Sequence, residues 1–70
     1  MIMTQNERRI FLIKELLREQ PRYSNLKIPA DVQEQRSLLR SLFNIRMPKP
    51  ISQEFLAVQD AYLQEELRRK

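Results

Sequence analysis

The chain has 70 residues, a formal net charge of +4, and no cysteine, histidine or glycine. Without cysteine there is no disulfide framework or thiol nucleophile; without histidine there is no imidazole metal site or common nucleophile–base pair. So short a chain makes one domain at most, buries only about 60% of its unfolded surface, and depends on regular helix packing or on a partner.

The first element starts at Thr4. Thr4-Gln5-Asn6-Glu7 has the form of a capping box, in which the threonine hydroxyl accepts from the Glu7 amide and Glu7 reaches back. The spacing predicts a helix over residues 5–20, stopped by Pro21. Ile10, Leu12, Ile13, Leu16 and Leu17 fall within an arc of about 160°. Arg9 and Gln20 share that arc, so the seam is not clean. Phe11 falls outside it, near Glu15 and Arg18.

Pro21 to Pro29 reads as an ordered connector. Tyr23, Leu26 and Ile28 are three apolar anchors that can hold it down. The second helix is expected over residues 32–46, with Asp31 as cap and Glu34 as a capping-box partner. Val32, Leu38, Leu39, Leu42, Phe43 and Ile45 share one arc of about 160°. Gln33, Arg36, Ser37, Arg40, Ser41 and Asn44 take the other side. Arg46, at the end, lies inside the apolar arc, where its stem can be buried while its head pairs or caps carbonyls.

Pro48 and Pro50 then fix a join. Each proline locks its own φ, and each drives the residue before it, Met47 or Lys49, out of the helical region. A stiff Pro-x-Pro crossover is expected before the last helix. Ile51 stands just before the cap, placed to pack on the first turn near Phe55 or Leu56.

Ser52 caps a third helix over residues 53–69. Its apolar residues form two stripes: Phe55, Val58 and Tyr62, and about 100° round, Leu56, Leu63 and Leu67. Gln59 and Glu66 lie between them. Glu65 with Arg69 and Glu66 with Lys70 have the favourable i,i+4 order. No segment alternates with period two, and hairpin glycines are absent. The expected fold is all-α: a small three-helix bundle forming a single helical domain over residues 1–70.

The first stripe of the third helix closes such a bundle. The second, with Phe11, is then left over as a contact surface. A wide arc buried wholly inside the bundle is the competing account. Gln59 and Asp60 read either as water-facing boundary residues or as polar anchors to a partner. The proline join reads as a rigid corner or as part of the same surface. The candidate partner interface is therefore Phe11, Arg46, Pro48, Pro50, Leu56, Gln59, Asp60, Leu63 and Leu67.

The basic balance invites a nucleic-acid reading, through Arg8, Arg9, Arg36, Arg40 and the C-terminal turn. Its distribution argues against one. Arg68, Arg69 and Lys70 supply three of the 13 basic residues, and without them the basic residues exceed the 9 acidic ones by one. A basic last turn is what a helix dipole favours. The longest apolar run, Ile10 to Ile13, is too short for a membrane span or signal core, so the cytoplasm is the expected compartment. Glu15 and Glu19 share a helix face with Lys14 and Arg18 beside them, which makes a solvated charged face rather than an acid–base pair. No phosphate loop is present. The chain by itself is read as non-enzymatic, with no catalytic, cofactor or metal residue.

The join and the start of the third helix are more specific than any amphipathic pattern. Asn44-Ile45-Arg46, Pro48, Pro50-Ile51-Ser52, Glu54-Phe55-Leu56 and Gln59-Asp60-Ala61-Tyr62-Leu63 resemble the segment just upstream of the macrodomain in bacterial zinc-dependent macrodomain proteins. Gln35-Arg36, Leu38-Leu39-Arg40 and the opening "RRIFLIKELL" fit the same leader. The resemblance spans essentially the whole chain. It implies a protein-ADP-ribose hydrolase of the Appr-1-p processing type, whose glycine-rich loops and cysteine–histidine zinc site lie in the macrodomain. None of those positions is present here. The resemblance thus implies a non-catalytic N-terminal module that packs on and stabilises the macrodomain of the same polypeptide, with zinc belonging to that absent domain. The alternatives are a free-standing helical interaction module, homodimeric when isolated, and the small basic nucleic-acid binder.

Overall fold

The computed structural model describes residues 3–45 and 51–69. It is all-α, with α1 (Gln5–Arg18), α2 (Val32–Phe43) and α3 (Gln53–Arg68), and a short 3₁₀ turn over Pro21–Tyr23. No strand occurs among the described residues.

All three helices begin where a side chain can accept from an exposed amide. Thr4 Oγ1 accepts from Glu7 N–H at 3.1 Å, and Glu7 Oε1 accepts from Thr4 N–H at 2.9 Å, which completes the capping box. The bond from the Thr4 amide, followed by the Thr4 hydroxyl as a donor to the carboxylate, holds the Glu7 carboxyl below its ordinary value. Asp31 Oδ2 accepts from Glu34 N–H at 3.0 Å, without the expected return bond from Glu34. Ser52 Oγ accepts from Phe55 N–H at 3.2 Å.

The helix ends fall earlier than the spacing predicts. The first stops at Arg18 rather than residue 20. Gln20 N–H bonds to Leu17 O at 3.1 Å, and Gln20, which precedes Pro21, is extended. The second stops at Phe43 rather than residue 46. There Asn44 and Ile45 bond back to Ser41 O at 3.2 Å and Leu42 O at 3.1 Å, tightening the last turn. The third stops at Arg68, with Arg69 as its cap. Arg46, Pro48 and Pro50, and with them the expected crossover, lie outside the described residues.

α1 is the middle of the fold. Its Leu12, Ile13, Leu16 and Leu17 are buried with Leu39 and Leu42 of α2 and Phe55 and Tyr62 of α3. α2 and α3 each pack along α1, while their own α-carbons stay more than 8 Å apart. Tyr23 and Ile28 hold the connector against this core, but Leu26 does not and is exposed. Its amide instead closes a turn on Tyr23 O at 3.0 Å. Val32, expected on the apolar arc of α2, is also exposed. It sits in the first turn, beyond the reach of the core.

Candidate functional site

The separation of α2 from α3 opens a groove between them. One recess, of about 370 Å³, has Arg36, Leu39, Arg40 and Phe43 on the α2 side and Tyr62, Leu63, Glu66 and Leu67 on the α3 side. A second, of about 320 Å³, has Leu42, Phe43 and Ile45 on one side and Ile51, Phe55, Leu56 and Gln59 on the other. Leu16 of α1 also lines the second recess, and Phe43 lines both. Arg36 to Phe43 face the later part of α3, and Leu42 to Ile45 face its start, so the two helices run antiparallel.

The two stripes of α3 have different fates. Phe55 and Tyr62 are buried and Val58 packs against the core. Leu56, Leu63 and Leu67 remain 49%, 41% and 63% exposed. The account in which one wide arc is buried inside the bundle is therefore incorrect. The core has room for one stripe, because α2 does not close against α3. Of the other residues named for an interface, Phe11 is half-buried against the core, Gln59 is half-buried on the second recess, and Asp60 is exposed. Ile51 packs on the core beside Phe55 and Leu56, as a residue before the cap should.

Of the two i,i+4 pairs expected at the end of α3, Glu65 with Arg69 is replaced by a pair with Arg68, and Lys70, the expected partner of Glu66, lies outside the described residues. Glu66 does not serve only its own helix: its Oε1 accepts from Gln5 Nε2 at 3.2 Å and lies 3.8 Å from Arg36 Nε. Gln5 Nε2 also donates to Tyr62 O at 3.1 Å, which ties the start of α1 to α3. Glu65 pairs with Arg68 at 3.8 Å, three residues on. Burial, followed by the nearby Glu66 carboxylate, pushes the Tyr62 phenol above its ordinary value.

The arginines named for a nucleic-acid surface are divided. Arg9 is only 2% exposed. Its Nε donates to Gln35 Oε1 at 2.8 Å and its Nη2 to Asn6 Oδ1 at 2.6 Å. Arg36 and Arg8 are half-buried, and Arg40 is exposed on the groove wall. The sequence places Arg9 in the apolar arc but offers no sign of its acceptor, 26 residues away. Arg36, Arg40, Phe43 and Glu66 as groove residues also escape sequence reasoning, since the gap between α2 and α3 has no local signature.

Among the described residues, no three acidic, cysteine or histidine side chains converge as metal ligands. With no histidine or cysteine in the chain, its residues do not fit a zinc centre. No helix among those residues is long and apolar enough to cross a membrane.

No family model matches the chain, and no solved structure matches it. A protein-ADP-ribose hydrolase from Treponema medium is 61% identical to it over 66 residues. The match covers 94% of this chain and 25% of the treponemal protein, so the chain spans about a quarter of the length of the curated relative that it resembles.

Proposed function

We propose that this chain is a non-catalytic helical module of a protein-ADP-ribose hydrolase, which packs on the remainder of such a polypeptide and stabilises it. The observation that carries this reading is the match itself: high identity along nearly all of the chain, confined to a quarter of a longer hydrolase. The open groove is consistent with it, since a packed helical module seldom leaves three leucines of one stripe exposed unless something covers them. By the family resemblance, the remainder is a zinc-dependent macrodomain that removes ADP-ribose from modified proteins, working in the cytoplasm. The catalytic groups and the zinc belong to that part.

Deletion of the matched region from the treponemal hydrolase tests the reading. The truncated protein should melt at a lower temperature than the intact one, and the 70-residue chain alone should release no ADP-ribose from a modified protein. An unchanged melting temperature, or hydrolysis by the chain alone, contradicts it.

A second reading rests on the same exposed leucines. A further copy of this chain can cover Leu56, Leu63 and Leu67, making the module a homodimer. Sedimentation as a monomer at high concentration removes that reading.

A further inference from the structure

We infer that the groove between α2 and α3 is the docking site for the rest of the longer polypeptide, and that its occupant is an amphipathic helix with a carboxylate set against Arg36 and Arg40. This deepens the packing role proposed above and rests on it.

The shape of the occupant is dictated by the walls. Both are helices, whose backbone groups are already paired within themselves. An extended segment lying between them would bury its own amides and carbonyls without partners, whereas a helix brings its bonds with it. From Phe55 to Leu67, α3 runs about 18 Å, or three turns, at 1.5 Å per residue. An occupant of similar length would cover both recesses.

Its chemistry is dictated by the charges. Among the described residues, those lining the second recess are apolar except Gln59, and this favours an apolar face on the occupant there. The first carries two guanidiniums and one carboxylate. That carboxylate is already shared: Glu66 Oε1 accepts from Gln5, and Arg36 Nε stands 3.8 Å away, beyond hydrogen-bond reach. Arg36 Nε is buried and has no hydrogen-bond acceptor. Arg40 makes no ion pair among the described residues. An incoming carboxylate supplies the ion pair that Arg40 lacks and matches the excess positive charge of a recess that Arg36 also lines. The treponemal relative has ample chain to provide such a helix, since the match covers only 25% of it.

The test runs in parallel on this chain and on the intact treponemal hydrolase. Leu63→Glu, Arg40→Glu and, as control, Gln33→Glu on the exposed outer side of α2 are made here. The same residues are placed at the aligned positions there. In a further hydrolase variant, lysine replaces the residue aligned with Arg40. A carbodiimide then joins that amine to any carboxylate in contact, and mass spectrometry reads the joined peptide. The melting temperature of this chain should not change with Leu63→Glu or Gln33→Glu, and should fall slightly with Arg40→Glu, which removes the basic residue from the last turn of α2. That of the intact hydrolase should fall with the first two by more than in this chain, and not with the control. The lysine should be joined to an Asp or Glu of the same polypeptide, outside the matched region.

Several results overturn the inference. They are equal melting temperatures for all hydrolase variants, no cross-link, a link joining two polypeptides, or unfolding of this chain by Leu63→Glu. If deletion of the matched region still destabilises the hydrolase, the packing role survives and only the groove assignment falls. If deletion has no effect, both fall.

Discussion

Arg9 of α1 and Gln35 of α2 form a buried bond, guanidinium Nε to amide Oε1 at 2.8 Å, that locks the two helices together inside the fold. Gln35 passes the link on, donating from Nε2 to Pro29 O at 2.7 Å, so the connector is fixed by the same pair. The acceptors that meet the buried charge are amide oxygens of Gln35 and Asn6. A charge removed from water costs several kcal/mol unless its hydrogen bonds are made. Gln35→Leu should therefore destabilise the chain by about 1–3 kcal/mol or more, as the guanidinium loses an acceptor. Arg9→Met in the same background should recover part of that loss, because the stranded charge is gone. Urea midpoints of the single and double variants decide the point. A double variant less stable than Gln35→Leu would mean that the arginine stem, rather than its bonded head, is what the core needs.

Leu42→Ala tests the second face of the core. Leu42 is buried among α1 and α3 side chains, and removing its isobutyl group should cost about 2–5 kcal/mol. In so small a domain that is enough to unfold much of the population at room temperature. Far-UV circular dichroism with urea titration reads it, and a variant as stable as the parent would show that α2 does not bury this side.

Tyr62 gives a pH dependence with a defined sign. Its phenol ionises above the ordinary value of 10.0 in the folded chain, through burial and the Glu66 carboxylate. Above pH 10 the unfolded chain therefore loses this proton before the folded one does. The contribution is complete below pH 10 and declines as pH rises through the folded value. Tyr62→Phe keeps the Tyr62 carbonyl that Gln5 uses and removes the titrating group. The stability of the parent relative to the variant should be constant below pH 10 and fall as pH rises above it. A constant difference would contradict the burial of the hydroxyl.

The helix starts were legible because each depends on residues adjacent in sequence: Thr4 with Glu7, Asp31 with Glu34, Ser52 with Phe55. The two stripes of α3 were legible for the same reason, from their spacing alone. The ends were less so, since Asn44 and Ile45 tighten into a closing turn before the prolines can act. Anything set by the distance between helices could not be read. Arg9 stood out as a flaw in an apolar arc, but its acceptor comes from α2. Glu66 meets Gln5 and Arg36 once α1 and α2 are in place, contacts that its spacing within α3 does not show. The groove itself depends on α2 and α3 both leaning on α1 and not on each other.

Leu63 and Leu39 provide a paired test of which side of the groove is core. Leu39 is buried and Leu63 is 41% exposed. Leu63→Glu should shift the stability of this chain by no more than about 0.5 kcal/mol, as surface substitutions do. Leu39→Glu places a carboxylate in the core and should unfold it. Thermal melts of the two variants side by side read the contrast, and equal losses would mean that the leucine stripe belongs to the module's own core.

Closure of the α2–α3 groove by the rest of a longer hydrolase can be seen directly in a crystal structure of the intact Treponema medium protein. The expected result is a helix from outside the matched region lying between the segments that correspond to α2 and α3, with a carboxylate within hydrogen-bond distance of the groups aligned with Arg36 and Arg40. A groove open to solvent, or filled by a second molecule, would rule that closure out.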